Sequence, residues 1–188
     1  MKFDPQKPDD EAQNKHHRRS IRLNGYDYSQ AGAYFVTIVA WQREMLFGEI
    51  VGGEMQLNDF GEIVRDEWER TEIVRPNVEL GEYIVMPNHV HGILIFIDDH
   101  VGATRRVAPT KTTLQPNSLG AVIGQFKSIV TKRINGLWNV SGRPVWQRNY
   151  YEHIIRNDRE MDNIHRYIES NPSMWADDDE NPNNIHDV

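Results

Sequence analysis

Tyr83-Ile84-Val85-Met86-Pro87-Asn88-His89-Val90-His91-Gly92-Ile93-Leu94-Ile95-Phe96 reads as two strands with a break at Pro87-Asn88. Successive side chains of a strand leave opposite faces, so His89 and His91 project from the same one. Two imidazoles side by side can hold a metal ion and leave positions open around it. A bare His-x-His is short and common, and a pair of half-exposed strand histidines would look the same. The neighbouring residues favour a site. Ile93 and Ile95 continue the histidine face and Leu94 and Phe96 lie on the other, which is the pattern of a central strand covered on both sides. Two polar rings at the mouth of such a strand need a reason to be there.

The rest of the composition bounds the answer. The chain has 188 residues, 38% hydrophobic and 26% charged, which suits one soluble globular domain. No apolar run approaches the roughly 20 residues of a membrane span. The N-terminus lacks the apolar core of a signal peptide, and there is no cysteine to build disulfides or a thiolate zinc site. These features imply a cytoplasmic protein with no membrane partner. The net charge of -7 argues against nucleic acid when taken whole. It is unevenly spread: residues 1–99 sum to -8, residues 100–176 to +6 and residues 177–188 to -5. A basic segment between two acidic ones can form a phosphate-binding face, or it can be ordinary surface scatter.

Along the chain, residues 1–14 lack periodicity and read as disordered. Lys15 to Arg22 forms a basic arm that includes Arg18 and Arg19. Ala33 to Trp41 is rich in β-branched and aromatic residues and reads as the first strand. Gly52-Gly53 signals a hairpin between Gly48–Val51 and Glu54–Leu57. Asn58 caps a helix with Phe60, Ile63, Val64 and Trp68 at helical spacing, and Arg75-Pro76 stops it. Asp98 to Asn117 is a long connection carrying Arg105, Arg106 and Lys111. Ser118 then caps a second helix whose apolar stripe runs from Leu119 to Ile134 and which Gly136 ends. Pro144 to Ile155 supplies the fourth main strand. A last helix starts at Asn157 or Asp158 and stops before Pro172, and an acidic, frayed tail follows from Asp177. Strand, helix, strand, strand, helix, strand is the α+β, ferredoxin-like plan (βαββαβ) with an antiparallel sheet and one additional C-terminal helix. That helix is the element available to cover the histidine face.

On the last helix, Met161, Ile164 and Ile168 share one face, and Tyr167 and Asn171 lie four apart beside it. If the stripe packs on the sheet, Tyr167 and Asn171 sit at the edge of the contact, within reach of His89 and His91. A phenol, an amide oxygen and two imidazoles would then form one constellation. Taken alone, Tyr167 reads equally as a boundary aromatic and Asn171 as a helix C-terminal residue before Pro172.

Met86-Pro87-Asn88-His89-Val90-His91-Gly92 resembles the HUH motif (His, bulky apolar, His) of single-tyrosine transposases, and especially of REP-associated tyrosine transposases. The resemblance begins at the Arg-rich arm leading into Tyr26-Asp27-Tyr28. It continues through Phe126-Lys127-Ser128 to Asn135 and Trp146-Gln147-Arg148-Asn149-Tyr150-Tyr151, and ends with Tyr167-Ile168-Glu169-Ser170-Asn171-Pro172. It implies a domain over residues 15–176, flanked by the disordered 1–14 and the acidic 177–188. It implies that Tyr167 is a catalytic nucleophile that forms a covalent 5′-phosphotyrosine, and that His89, His91 and Asn171 bind Mg²⁺ or Mn²⁺. In the broader transposases the amide is usually glutamine; asparagine here is similar to the REP-associated branch. The implied partner is single-stranded DNA with a hairpin or palindromic repeat, met by a monomer or homodimer. Lys127, Lys132, Arg133, Arg148, Arg18 and Arg19 are the candidate DNA contacts. Nitrogen ligands suit Mn²⁺ somewhat better than Mg²⁺. Two other readings use the same residues: a catalytically inactive nucleic-acid-binding module of this fold, and a two-His metallohydrolase that uses activated water.

Overall fold

The computed structural model describes residues 26–97 and 117–184. Within them lie β1 (Gly32–Val39), β2 (Gly48–Val51), β3 (Glu54–Leu57), α1 (Asp59–Val74), β4 (Val78–Val85), β5 (His89–Phe96), α2 (Leu119–Leu137), β6 (Tyr151–Ile155) and α3 (Asp158–Ser170). Four strands form one sheet in the order β4-β5-β1-β6, antiparallel at every pairing. β2 and β3 form a separate hairpin. This is the α+β, ferredoxin-like arrangement with an additional C-terminal helix.

The two faces of the sheet bury different layers. Tyr34, Val36 and Ile38 of β1 and Val90, Leu94 and Phe96 of β5 pack with α1 and α2 through Ile63, Val64, Trp68, Val122, Ile123, Phe126 and Val130. The opposite face carries Phe35 and Ile93, and α3 covers it with Ile164 and Ile168. The alternation read from the histidine strand therefore has its physical cause: a helix on each side. Gly92 sits at the closest approach. A Cβ there would stand 2.3 Å from the indole of Trp68, so only glycine lets α1 dock on β5.

Caps fix the helix starts. The Asn58 side chain accepts from the amides of Phe60 and Gly61, Ser118 from Ala121, and Asn157 from Glu160. In the hairpin turn, Gly52 and Gly53 both take positive φ, 63° and 84°, which a two-residue turn of this hand requires.

Four boundaries differ from the sequence reading. β1 ends at Val39, and Trp41–Arg43 forms a short 3-10 turn in which Gln42 and Arg43 take positive φ. α2 runs through Gly136 to Leu137; the left-handed residue is Asn139 at φ 54°, and the Val140 amide closes on the Asn135 carbonyl. The fourth main strand is confined to Tyr151–Ile155, with Trp146 only bridging to Ala40. Between them the carbonyls of Gln147 to Asn149 turn to the Lys127 ammonium instead of a strand neighbour. The segment from Asp177, read as a frayed tail, is folded through residue 184, and Asp178 and Asn181 are buried.

Gly92→Ala should destabilise the fold by about 1–3 kcal/mol, the usual cost of overpacking a tight core. Urea unfolding of the two proteins measures it. An unchanged midpoint would mean that Trp68 can move aside at no cost.

Candidate functional site

The site begins with strand register. β5 pairs with β1 so that His89 lies opposite Val39 and His91 opposite Thr37. Both rings enter the face covered by α3, where His89 is 0% and His91 3% exposed. Their Nε2 atoms are 2.9 Å apart. The hydroxyl of Thr37 lies 2.9 Å from His91 Nδ1. His89 Nδ1 lies 2.9 Å from Asn88 Oδ1.

These outer contacts set the tautomers. The Asn88 amide nitrogen donates to the carbonyls of Arg43 (3.2 Å) and Glu180 (2.7 Å), which fixes which end of the amide is oxygen. His89 must then donate from Nδ1, and its Nε2 carries a lone pair. For His91 the Thr37 hydroxyl can serve either way. If Thr37 donates, His91 carries its proton on Nε2 and gives it to His89. If Thr37 accepts, both Nε2 lone pairs are open to a cation. Burial, and after it the neighbouring His89, hold His91 well below the ordinary imidazole range, while Asp178 pulls the other way. A neutral imidazole is the ligand form.

α3 brings the second half. Tyr167 Oη lies 3.2 Å from His91 Nε2, and its ring meets those of His91 and Phe35 edge-on at 5.0 and 6.0 Å between centroids. Burial first, then the Asp178 and Glu180 carboxylates, push the phenol well above its ordinary range; a hydrogen bond from Asn171 works against them. Asn171 is the C-terminal cap of α3 and is buried. Its nitrogen donates to Asp178 Oδ2 at 3.1 Å, and its Oδ1 is buried with no hydrogen-bond partner among the described residues.

Sequence reasoning missed Asp178. Its Oδ2 stands 4.0 Å from His89 Nε2, and His89, His91 and Asp178 could together hold a metal ion. Asp178 is held by the Glu180 amide (2.6 Å) and by Asn171. Trp175 tilts over His89 at 6.0 Å between ring centroids. The acidic run Asp177-Asp178-Asp179-Glu180 was the available signal, but a charge run by itself reads as solvated.

The donor set fits a divalent ion. His89, His91 and Asp178 offer ligand atoms that all lie within 4.8 Å of one another, close enough to be shared by one ion. The unpartnered Asn171 Oδ1 is the kind of buried acceptor that a cation would satisfy.

The DNA-contact candidates scatter. Lys132 and Arg148 are exposed. Arg133 pairs with Glu67 (2.8 Å) and Asp66 (3.3 Å) on α1. Lys127 turns inward. Arg18 and Arg19 lie outside the described residues, as do Arg105, Arg106 and Lys111. No helix among the described residues is long and apolar enough to cross a membrane.

No family model matches the chain. An uncharacterised protein of Haemophilus influenzae is 40% identical over 168 residues, which cover 87% of this chain and 92% of that one. Another protein of the same organism, provisionally named a REP-associated tyrosine transposase, is 27% identical over 146 residues, 78% of this chain and 73% of its own. A solved REP-associated tyrosine transposase bound to a REP hairpin superposes with a TM-score of 0.55 at 20% identity, covering 86% of this chain and 74% of that one. At that identity the superposition shows a shared fold.

Mn²⁺ at about 100 times its dissociation constant should stabilise the protein by about 2.7 kcal/mol, read as a rise in the thermal midpoint. His89→Ala or His91→Ala should abolish the rise, and Asn171→Ala or Asp178→Asn should require more Mn²⁺ for it. An equal rise in all five proteins would place the ion elsewhere.

Proposed function

We propose that the chain is a REP-associated tyrosine transposase, and that it is a metal-dependent endonuclease and strand transferase acting on single-stranded DNA beside a hairpin. The observation that carries the reading is Tyr167 Oη at 3.2 Å from His91 Nε2, itself 2.9 Å from His89 Nε2. A phenol beside two imidazoles on one sheet face is what a tyrosine nucleophile beside a metal requires. His89, His91 and Asn171, with Asp178 in the arrangement described, would hold Mg²⁺ or Mn²⁺. A divalent ion bound there would supply Lewis-acid polarisation of a phosphodiester oxygen.

Tyr167 Oη gives up its proton to solvent and forms a bond to phosphorus, and the bond from phosphorus to the 3′ oxygen breaks. The 3′ oxygen leaves as a hydroxyl after taking up a proton, and the 5′ phosphate stays on tyrosine. The phosphotyrosine ester conserves the energy of the broken bond, so reversal onto another 3′ hydroxyl joins strands without an outside energy source. α3 suits the nucleophile, because Ile164 and Ile168 pack it on the sheet and hold Tyr167 beside the histidines.

In the arrangement described, the site is closed. In the segment 174–184, Trp175 and Asp178 lie against His89, and Asp178 is 8% exposed there. The carboxylates of Asp178 and Glu180 also oppose ionisation of Tyr167. Withdrawal of this segment would open the site to an anionic phosphodiester and relieve the phenol together. The segment thus sits where the substrate's charge would sit. The domain boundary of the active unit, on this reading, lies beyond residue 176.

Tyr167→Phe removes one oxygen. It should abolish both cleavage of a labelled single-stranded hairpin in Mn²⁺ and the covalent protein–DNA band on a denaturing gel, with binding and thermal midpoint nearly unchanged. A surviving band, or an adduct mapped to Tyr150 or Tyr151, would overturn the assignment. Cleavage without any covalent band would favour activated water, and binding without cleavage an inactive module. Asp178→Ala should speed cleavage at saturating Mn²⁺ if the segment must lift; slower cleavage would give Asp178 a direct part in the reaction, and an equal rate would remove the need for lifting.

A further inference from the structure

Lys127 lies on α2 among the basic candidates, yet its ammonium is committed to the protein's own backbone. Nζ donates to the carbonyls of Gln147 at 2.9 Å and Asn149 at 3.0 Å, and the carbonyl of Arg148 lies 3.5 Å away. The Tyr150 ring stands at 5.6 Å. Three consecutive carbonyls thus turn towards one largely buried cation. Burial pushes that ammonium down to about 8, which leaves it mostly charged at neutral pH.

A trans peptide unit is planar, so its N–H points away from its own carbonyl. With the carbonyls of Gln147 and Arg148 turned inward, the amides of Arg148 and Asn149 face outward. Both residues are exposed. Neither amide, and neither side chain, meets a hydrogen-bond partner among the described residues. The position is equally specific. The Gln147 amide donates to the Val39 carbonyl at 2.9 Å, and Val39 stands opposite His89. Tyr151, three residues after Arg148, pairs with Thr37, whose hydroxyl meets His91. The segment therefore borders the histidine end of the sheet.

We propose that residues 148–149 form a docking site for a backbone phosphate of the DNA strand, built from two outward amides and the Arg148 guanidinium, and that Lys127 shapes this site without touching DNA. The proposal rests on the DNA-processing reading given above. Adjacent backbone donors beside a forked cation are a recurrent way to hold a phosphate. Lys127 is a positioning residue: without its charge the inward carbonyls lose their donor, and the peptide units can rotate to seek water. Arg133 offers no such site, since its guanidinium is engaged by Glu67 and Asp66.

The test uses the full chain and a fluorescent single-stranded hairpin oligonucleotide, with affinity followed as KCl is raised. Arg148→Ala should weaken binding about tenfold and lower the salt slope by about one. Lys127→Met should do the same, and Lys127→Gln, which keeps an N–H donor, should fall between it and wild type. The Lys127→Met/Arg148→Ala double variant should be no weaker than either single. In the wild type, inorganic phosphate should shift the Arg148 and Asn149 amide resonances, an observation that does not depend on any variant folding. Losses that add in the double variant, with the slope lowered by about two, would mean that Lys127 makes its own phosphate contact and would overturn the positioning role. Wild-type binding with Arg148→Ala unchanged and both amides unmoved would overturn the docking site and leave the DNA reading intact. A wild type that binds no hairpin would instead remove the DNA reading, and this site with it.

Discussion

The site depends on the register of β5. Side chains alternate along a strand, so a slip of one residue against β1 would turn His89 and His91 into the layer under α1 and α2, and Val90 and Leu94 towards α3. Three contacts oppose that slip. Trp68 fits only over Gly92. The Met86 amide closes the turn on the His89 carbonyl at 2.8 Å, and the Ala40 amide takes the Asn88 carbonyl at 2.7 Å. On the other face, Phe35, Ile93, Ile164 and Ile168 bury one another. Each such side chain contributes up to roughly 1.5–3 kcal/mol. The helix that carries Tyr167 is thus held by the same apolar face whose polar end is the histidine pair.

What the sequence displays follows from periodicity. His89 and His91 share a face because strands alternate, and Tyr167 and Asn171 share an edge because helices turn every 3.6 residues. Those two rules, applied to β5 and α3, account for the His89–His91 pair and for Tyr167 Oη beside His91, and the Gly52-Gly53 turn follows from φ alone. What the sequence hides depends on contacts between distant segments. Asp178 becomes a possible ligand because a 3-10 turn at Trp175–Asp177 folds the chain back. Asn139 takes the left-handed position three residues beyond Gly136, where composition favours glycine. Lys127 stands among other basic residues of α2, and only the fold shows that its charge is spent on a loop 20 residues later.

Charge shows the same limit. Among the described residues, the basic side chains of this +6 segment, residues 100–176, do not all face solvent. Arg133 faces α1, Arg143 pairs with Glu44 and stacks on Trp138, and Lys127 is turned inward. Part of the segment's positive charge therefore answers the acidic N-terminal half within the fold. A net charge sums residues without regard to direction, while phosphate recognition needs donors aimed outward. Arg148 is exposed, and the carbonyls around it turn the other way, to Lys127.

The closing segment differs from the rest of the site in how it is held. The histidines are fixed by two strand ladders and Tyr167 by a packed helix. Residues 174–184 instead satisfy many polar groups among themselves. Asn181 Nδ2 donates to the Trp175 carbonyl, Asn184 Nδ2 to those of Ala176 and Asp178, and the Glu180 amide to Asp178 Oδ1. Their ties to the body are mostly polar: Asn88 to the Glu180 carbonyl, Arg43 to the Glu180 carboxylate at 2.8 Å, and Asn171 to Asp178. Polar ties exchange for water at about 0.5–1.5 kcal/mol each, whereas lifting α3 would expose the apolar layer of Phe35, Ile93, Ile164 and Ile168. A unit that is bonded within and lightly bonded without is the one that opens first. The protein thus separates two demands: the residues that must keep angstrom-scale geometry sit on the sheet and the packed helix, and the residues that must make way sit on a self-bonded turn.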